Sequence, residues 1–304
     1  LVALFNSRIY NQPMGSDDLA GCIVAFWNDR NIDNTRQLLD ENFFYPYMLT
    51  LAERAWRGGG NCYFDGKGTV LWDDEPEQKK EFAEFENRML WHKTHTLSSE
   101  PFSYERQSDV VWSITDAFPN DGDLARSFPP ELYLHGDLSP VDDPTIFSYK
   151  RKTYKSRTFT GNGFYLRHVW GTLVPGVYAN PEENHTAYAT RWIYSKKART
   201  AKLSLEFQNY SRSESDLPPL QGTWDYKGSR AWINGEEIQP PVWQNTNTER
   251  SNELPLRNEN AVSREPIEIH LRQGWNKLVL KLPVGKFSGR ETRLVKWMFS
   301  ATVK

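Results

Sequence analysis

The stretch GCIVAFWND, residues 21–29, decides the fold of the first part of the chain. Its apolar run, residues 23–27, predicts a short strand that is buried on both faces, and a polar Asn and Asp follow it. The stretch YPYMLTLAERAW, residues 45–56, has the apolar spacing of a helix, and the glycines at 58–60 predict its end. A buried strand followed by a helix that packs back is the last unit of a (β/α)8 barrel. We therefore expect residues 1–60 to be the C-terminal remnant of such a barrel, with the N-terminal barrel portion missing.

Residues 61–104 are interpreted as a connecting insert and a helix. In the preceding region, Pro46 predicts that residues 33–56 form two helices and not one, because a proline inside a helix removes a hydrogen bond. The acidic run at 73–75 followed by Pro76 is typical of a helix start. One apolar face at helical spacing follows, formed by Phe82, Phe85, Met89 and Leu90. We expect this helix to pack against the barrel or against the next domain.

From residue 105 onward the pattern changes to short alternating runs separated by Gly, Pro, Asn and Asp. Examples are GFYLRHVW at 163–170 and NKLVLKL at 276–282, and Asn234-Gly235 is a strong signal for a hairpin turn. Regularly spaced strands without helices predict an antiparallel β-sandwich of the jelly-roll type over residues 105–304. The expected fold class is α+β and multi-domain.

Composition excludes several classes of function. The 304 residues carry a net charge of −2 with scattered Lys and Arg, so we expect no nucleic-acid partner. No apolar window approaches the roughly 18 residues of a membrane-spanning helix, so we expect no membrane span. Two cysteines, Cys22 and Cys62, are too few for a disulfide framework. Aromatic residues make up 14% of the chain, which is typical both of sandwich cores and of surfaces on which sugar rings stack.

Two groups of residues contain the side chains of a metal site. His92 and His95 lie three positions apart on a predicted helix, but no third ligand is obvious, and we interpret them as a solvated helix end. The loop at 116–123 lacks the closing Glu of an EF-hand. A calcium ion bound by the sandwich is an alternative there, and a capped loop is the preferred interpretation. The loop residues in question are Asp116, Asn120, Asp121 and Asp123. No metal and no cofactor are expected.

Tryptophans in loop-like sequence are the candidate binding residues of the sandwich, because loops at a sandwich end often carry function. The predicted glycan-binding residues are Trp224, Asp225 and Trp243. Further candidates for sugar stacking are Trp170, Trp192 and Trp232. The alternative is that these loops pack against the barrel and have a structural role.

The two motifs of residues 1–60 resemble the end of the catalytic barrel in family 20 glycoside hydrolases, the β-N-acetylhexosaminidases. WND at 27–29 is similar to the Trp-x-Glu of that family, with Asp in place of Glu, and AERAW at 52–56 is similar to the element that ends the following helix. The resemblance implies that Trp27 forms part of the wall of the N-acetyl-sugar pocket. It implies that Asp29 accepts hydrogen bonds from sugar hydroxyls, although its shorter side chain changes the reach.

The resemblance also implies an activity for the parent protein, an O-glycosyl hydrolase. Terminal N-acetylhexosamine residues would be removed by substrate-assisted retaining hydrolysis, in which the acetamido group attacks the anomeric carbon. The family's catalytic Asp-Glu pair lies on the fourth barrel strand, whereas Asp74-Glu75 lies at the start of a helix beyond the barrel unit. We therefore expect no catalytic residue in this chain, which should be inactive alone. Glu53 and Arg54 are expected to be structural.

The sequence GWNK at 274–277, before a strand, resembles the galactose-binding-like β-sandwich modules appended to bacterial glycosidases. The resemblance implies a glycan substrate, no cofactor, and a bacterial periplasmic or extracellular location. Two alternatives stay open for the chain itself. It could be a non-catalytic carbohydrate-binding module, or a structural module that supports the barrel or mediates dimerisation.

Overall fold

The computed structural model describes residues 1–10, 16–25, 36, 39, 43–60, 70–72, 75–135, 139–168, 176–207, 222–240, 266–288 and 295–304. Its helices are α1 (Val2–Asn6), α2 (Phe44–Arg57), α3 (Pro76–Thr94) and a 3-10 helix (Pro129–Tyr133). Its strands are β1 (Leu71–Trp72), β2 (Val111–Thr115), β3 (Phe118–Pro119), β4 (Ile146–Tyr149), β5 (Lys152–Thr160), β6 (Gly163–Arg167), β7 (His185–Ser195), β8 (Arg199–Glu206), β9 (Arg230–Ile233), β10 (Glu236–Glu237), β11 (Ile267–Leu271), β12 (Gly274–Val284) and β13 (Trp297–Val303).

Helix α2 ends where the local sequence predicts. It is followed by Gly58, whose φ of +64° lies in the region that favours glycine, and the Gly58 N–H donates to a carbonyl of the last turn at 3.0 Å. Pro46 lies in the first turn, where its absent N–H costs no helical hydrogen bond. Arg36 and Leu39 are helical and Phe43 is not, in agreement with the two helices predicted around Pro46.

The helices have an apolar core of their own. Helix α3 starts at Pro76 and buries Phe82, Phe85 and Met89, which confirms the predicted apolar face. The ring of Phe5, from α1, lies 5.3 Å from that of Phe82 and 5.2 Å from that of Phe85, measured between centroids. Burying a side chain of this size contributes about 2–3 kcal/mol. The cluster is completed by Val2, Leu71, Phe102 and Tyr104.

The described strands form two sheets, and all their pairings are antiparallel. In the described part of the chain the large sheet has nine strands in the order β1-β5-β2-β7-β12-β9-β10, with β3 paired to β7 and β4 paired to β5. The small sheet has the order β11-β8-β13-β6. Mostly antiparallel sheets with few helices agree with the predicted α+β class, whereas the jelly-roll connectivity stays a prediction.

One apolar core lies between the two sheets. Trp112 of β2 is fully buried, and its ring centroid lies 4.8 Å from that of Phe299 on β13. The indole N–H of Trp297 donates to the carbonyl of Leu282 at 3.0 Å, again between the sheets. The two sheets therefore pack face to face, as in a β-sandwich. Other members of this core are Phe159, Phe164, Leu166, Leu203, Leu205, Leu278 and Leu280.

The hairpin predicted at Asn234-Gly235 is confirmed. These residues connect β9 to β10 with φ values of +52° and +88°, as a type I′ turn requires. The side-chain carbonyl of Asn234 accepts a hydrogen bond from the Lys277 backbone N–H at 3.0 Å, and its amide donates to the Asn276 Oδ1 at 2.9 Å. The turn is therefore tied to β12.

The predicted barrel strand is not present in its described half. Residues 21–25 form no strand, and Ile23 is 95% exposed. A strand buried on both faces needs neighbours on each side, and no described strand pairs with this segment. The prediction of a buried strand is therefore wrong for residues 23–25 in this chain, and residues 26–27 lie outside the described ones. The barrel unit as a whole is not confirmed.

Strand β1 connects the predicted insert to the sandwich. Leu71 pairs with Thr160 and Trp72 pairs with Phe159, at the edge of the large sheet. The domain boundaries at 60/61 and 104/105 stay predictions. The pairing nevertheless places a strand from the second region in the sheet of the third.

Candidate functional site

Several of the predicted site residues lie outside the described part of the chain. These are Trp27, Asp29 and Trp243, together with Asp74 of the rejected Asp-Glu pair and the further stacking candidate Trp170. Their roles stay predictions. Asp40-Glu41 is another Asp-Glu pair in the sequence, and it too lies outside the described residues.

The motif AERAW, residues 52–56, occupies the end of helix α2 and connects it to α3. The carboxylate of Glu53 accepts a hydrogen bond from the Arg88 guanidinium of α3 at 2.7 Å. Arg57, one turn after Glu53, forms an ion pair with Glu81 of α3 at 3.0 Å. Pairs this exposed contribute about 0.2–1 kcal/mol each. They therefore orient α2 and α3 relative to each other but add little to the stability of the fold. The structural role expected for Glu53 agrees with these contacts.

Arg54, in the same motif, points inward. It is 6% exposed, and its guanidinium lies 5.6 Å from the ring centroid of Phe5. Burial lowers the pKa of Arg54, and Arg57 adds to that effect. A Cβ placed on Gly60, whose φ is +100°, would lie 2.8 Å from backbone atoms of Ser7 and Arg8, so glycine is required where the chain after α2 passes the end of α1. The Arg54 guanidinium lies beside the same glycine.

The segment that carries the motifs also exposes apolar side chains. Ile23 is 95% exposed, Val24 is 36% exposed, and Trp56 is 83% exposed. Single exposed apolar residues are ordinary, but large ones that occur together mark surfaces that contact another molecule or chain segment. Ile23 and Val24 are neighbours in the chain, and Trp56 is exposed at the end of α2, the helix that contacts α3.

A buried carboxylate connects helix α3 to the start of the sandwich. Glu86 is fully buried, and its oxygens accept hydrogen bonds from the Tyr104 hydroxyl at 2.6 Å, the Gln107 N–H at 2.8 Å and the Ser108 N–H at 3.2 Å. Burial raises the pKa of Tyr104, and the neighbouring Glu86 carboxylate raises it further. Residues 107–108 lead directly into β2, so Glu86 sets the direction in which the chain enters the sheet.

A second polar cluster reinforces this junction. Burial alone would raise the pKa of Glu105, but ion pairs with Lys304 at 2.8 Å and Lys93 at 3.5 Å lower it overall. The side-chain amide of Asn162, between β5 and β6, donates to the carbonyls of Glu105 at 3.3 Å and Arg106 at 3.0 Å. The connection between α3 and the sandwich is therefore hydrogen-bonded along its length.

The predicted glycan-binding pair Trp224 and Asp225 is buried, each being 3% exposed. The Trp224 ring packs edge-on against Phe207 at 5.4 Å, and its N–H donates to the Ile238 carbonyl at 3.3 Å. Asp225 accepts hydrogen bonds from the N–H groups of residues 227 and 229 at 2.9 Å and from the Ser229 hydroxyl at 2.6 Å. These contacts organise a turn beneath the sheet. The role of the pair in glycan binding stays a prediction, and burial does not favour it.

The outer face of the large sheet holds two further candidates for sugar stacking, Trp192 and Trp232. Trp232 is 4% exposed in an aromatic cluster with Phe118, Phe128 and Tyr188. Trp192 is half-buried, and its indole N–H donates to Asp143 at 2.9 Å. The other oxygen of Asp143 accepts from the Lys277 ammonium, which also donates to the Tyr133 carbonyl at 2.6 Å.

Two exposed aromatic residues on this face were missed by the sequence reasoning. Tyr194 lies two positions after Trp192 on β7, and Trp275 is its cross-strand partner on β12. The alternation of a strand places Tyr194 on the same face as Trp192, so that signal was available. The pairing with Trp275 depends on the sheet register, which the sequence does not show.

The two groups that contain metal-binding side-chain types, interpreted above as a solvated helix end and a capped loop, have other partners. His95 stacks on Trp91 with centroids 4.4 Å apart, and His92 contacts the Thr96 hydroxyl at 3.1 Å. In the loop at 116–123, Asp121 forms an ion pair with Arg126, and Asn120 caps the N–H of Gly122 at 2.9 Å. Across the described ranges no group of three or more His, Cys, Asp or Glu side chains could hold a metal ion. No helix in those ranges is long and apolar enough to cross a membrane.

Comparison with known proteins does not place the chain in a family. No family model matches the sequence, and no curated protein matches it. Among solved structures, the chain is similar to a β-glucosidase from Kluyveromyces marxianus in complex with glucose, with 11% identity and a TM-score of 0.27. The match covers 65% of this chain and 16% of that one. A likeness at this level carries no argument about the function of the chain.

Proposed function

We propose that the chain is the C-terminal portion of a glycoside hydrolase that removes terminal N-acetylhexosamine residues by substrate-assisted retaining hydrolysis. The catalytic Asp-Glu pair would belong to the N-terminal part of the barrel. Residues 105–304 would form a non-catalytic sandwich that supports the barrel. The expected partner is a glycan, no cofactor is required, and the expected location is the bacterial periplasm or the extracellular space.

One observation supports this proposal above the others: the segment that carries both motifs exposes large apolar side chains. Ile23, predicted to lie in a buried strand, and Trp56, at the end of the second motif, are among the most exposed large apolar side chains described. Covering each would contribute about 1.5–3 kcal/mol. A preceding barrel would supply the strands and helices that cover them.

The contacts between α3 and the sandwich favour a structural role for the sandwich. Glu86 of α3 accepts a hydrogen bond from the Gln107 N–H, Lys93 of α3 pairs with Glu105, and β1 extends the large sheet. A module on a flexible linker would not need these ties. A barrel seated on α2 and α3 would therefore be held in a fixed orientation by the sandwich.

The test uses the longer product of the same gene, with its upstream barrel, and a chromogenic N-acetyl-β-glucosaminide. The longer product should release chromophore and the 304-residue chain should not. Asp29→Ala in the longer product should lower kcat/KM about 10- to 100-fold, because a charge-assisted hydrogen bond of about 1.5–3 kcal/mol is lost. Asp17→Ala is the matched control, since Asp17 is exposed. An inactive longer product, an active 304-residue chain, or equal effects of the two substitutions would each refute the proposal.

A further inference from the structure

Two connections cross from one sheet to the other, β7 to β8 and β11 to β12, and these two crossovers lie side by side at one end of the sandwich. The ladder between β7 and β12 ends at the pair Ser195–Gly274, and the ladder between β8 and β11 ends at the pair Arg199–Leu271. The chain leaves the large sheet through residues 196–198 and returns to it through residues 272–273. Side chains from both crossovers therefore project from the same corner of the fold.

Two exposed aromatic rings stand at this corner. Tyr194 is 59% exposed and Trp275 is 45% exposed. Their ring centroids are 5.2 Å apart and their planes meet at 68°, so the rings are in edge-to-face contact while part of each stays exposed. A flat aromatic face attracts the C–H-rich face of a sugar ring through dispersion and weak C–H contacts. Its exposure in water is otherwise unfavourable.

The exposed charges of the two crossovers all have one sign. They are Lys196, Lys197, Arg199 and Arg272, and neither residues 194–200 nor residues 270–277 include an Asp or Glu. Asp143, in the bend before β4, accepts hydrogen bonds from Lys277 and Trp192 on the adjoining strands. Burial lowers the pKa of Arg191, and the nearby Asp109 carboxylate partly opposes this effect. Two of these cations also bond to the backbone, since Arg199 donates to the Lys304 carbonyl at 3.2 Å and Arg272 donates to the Trp275 carbonyl at 3.4 Å. Exposed cations beside an aromatic surface favour an anionic ligand.

The corner is held rigidly from below by Asn276, which is fully buried. Its Oδ1 accepts a hydrogen bond from the Arg272 N–H at 2.9 Å, and its Nδ2 donates to the carbonyls of Arg272 at 2.9 Å and Gly274 at 3.1 Å. The Ser195 hydroxyl likewise donates to the Lys197 carbonyl at 2.7 Å. Both crossovers therefore have a fixed shape, and a ligand would not have to order them.

We propose that this basic corner, formed by Tyr194, Trp275 and the four exposed cations, binds acidic carbohydrate whose sugars carry carboxylate or sulfate groups. One sugar ring stacks on an aromatic face, and its anionic groups lie against the lysines and arginines. Single-stranded nucleic acid also uses aromatic rings and cations, but it needs a basic groove that follows its backbone. The chain as a whole is balanced, with 37 Lys and Arg against 39 Asp and Glu. The inference uses the sandwich alone and does not rest on the hydrolase proposal.

Calorimetry on the 304-residue chain tests it, with heparin and polygalacturonate oligosaccharides as acidic probes. A neutral chitin oligosaccharide and an oligothymidylate serve as the comparison probes. Trp275→Ala should weaken binding of an acidic probe at least tenfold. Trp91→Ala, which removes another exposed tryptophan on α3, should leave it unchanged. The double change Lys196→Gln with Lys197→Gln should weaken it several-fold and flatten its salt dependence, since each lost phosphate-like contact removes about 0.7 from the logarithmic slope.

The matched charge control is Lys152→Gln with Lys155→Gln, two exposed positions on β5. Equal thermal midpoints for all variants show that binding, and not folding, has changed. Acidic glycans bound by the wild type and lost with Trp275 but not with Trp91 would support the proposal. No binding of either acidic probe, equal effects of the two tryptophan changes, or tighter binding of the neutral sugar or the oligothymidylate would overturn it. None of these results bears on hydrolysis of an N-acetylhexosaminide.

Discussion

Replacing Glu86 by alanine should remove the main polar tie between helix α3 and the sandwich. The fully buried carboxylate accepts hydrogen bonds from Tyr104, Gln107 and Ser108. Alanine would leave these three donors, and the more exposed Arg106 guanidinium at 3.5 Å, without their acceptor. A buried donor left unsatisfied costs about 1–3 kcal/mol. Gln107 and Ser108 are half-buried, so water can partly replace the carboxylate there. Counting about 1 kcal/mol for each of these and about 2 for Tyr104 gives a loss of about 4 kcal/mol.

The thermal midpoint, followed by circular dichroism, should report this loss. At about 2 °C per kcal/mol for a chain of this size, Glu86→Ala should lower the midpoint by about 8 °C. Glu86→Gln keeps one acceptor of similar shape and should cost less than half as much. The control is Glu84→Ala on the exposed side of α3, which should change stability by no more than about 0.5 kcal/mol. A Glu86→Ala midpoint equal to that of Glu84→Ala would refute the assignment of Glu86 as the tie.

The remaining predictions concern pH and the core. Burial, with help from Lys296 and Arg167, lowers the pKa of His168 from 6.5 to about 4. As the pH falls, the unfolded chain therefore protonates His168 before the folded chain does. The stability that neutral His168 contributes is complete above pH 6.5 and should be lost as the pH falls towards 4. His168→Gln should flatten that part of the profile in denaturant titrations, and an unchanged slope would contradict the assignment. Trp112→Ala, in the sandwich core, should cost about 3–5 kcal/mol. The exposed neighbour change Val111→Ala should cost less than about 1 kcal/mol, and similar losses for both would contradict the packing described.

Features set by a few neighbouring residues could be predicted from the sequence. The end of α2 at Gly58, the start of α3 at Pro76 and the hairpin at Asn234-Gly235 all follow from backbone preferences that act over one turn. The apolar face of α3 could also be predicted, because a helix repeats its burial every three to four residues. Local rules therefore predicted these element ends and the buried face of α3, but not strands such as β4 and β5.

Burial that depends on distant segments could not be predicted. Trp224 and Trp275 are the same residue type in similar polar surroundings, yet one is 3% exposed and the other 45%. Trp224 is covered by Phe207, and the outward direction of Trp275 follows from its register with β7. The order of strands in a sheet is not encoded at any single position. The predicted glycan-binding residues lie in one pair of loops, whereas the exposed pair Tyr194 and Trp275 lies at another corner.

The same reasoning explains the failure at residues 21–25. A continuous apolar run is compatible with a buried strand, but it does not state which neighbours bury it. In this chain the run has no described strand beside it, and Ile23 is exposed. The motif at 27–29, which lies outside the described residues, rests on sequence alone, whereas the motif at 52–56 has its helix, its ion pairs and its buried Arg54 in place.

The junction shows why the helical and sandwich parts should be treated as one folding unit. Strand β1 lies on the edge of β5, Glu86 accepts hydrogen bonds from the chain just before β2, and Lys93 of α3 pairs with Glu105. Each of these contacts joins a residue before position 105 to one after it or at it. A fragment that starts at residue 105 would leave β5 without β1 and residues 107–108 without their acceptor. The sandwich therefore depends on the segment before it, and the segment is oriented by the sandwich in return.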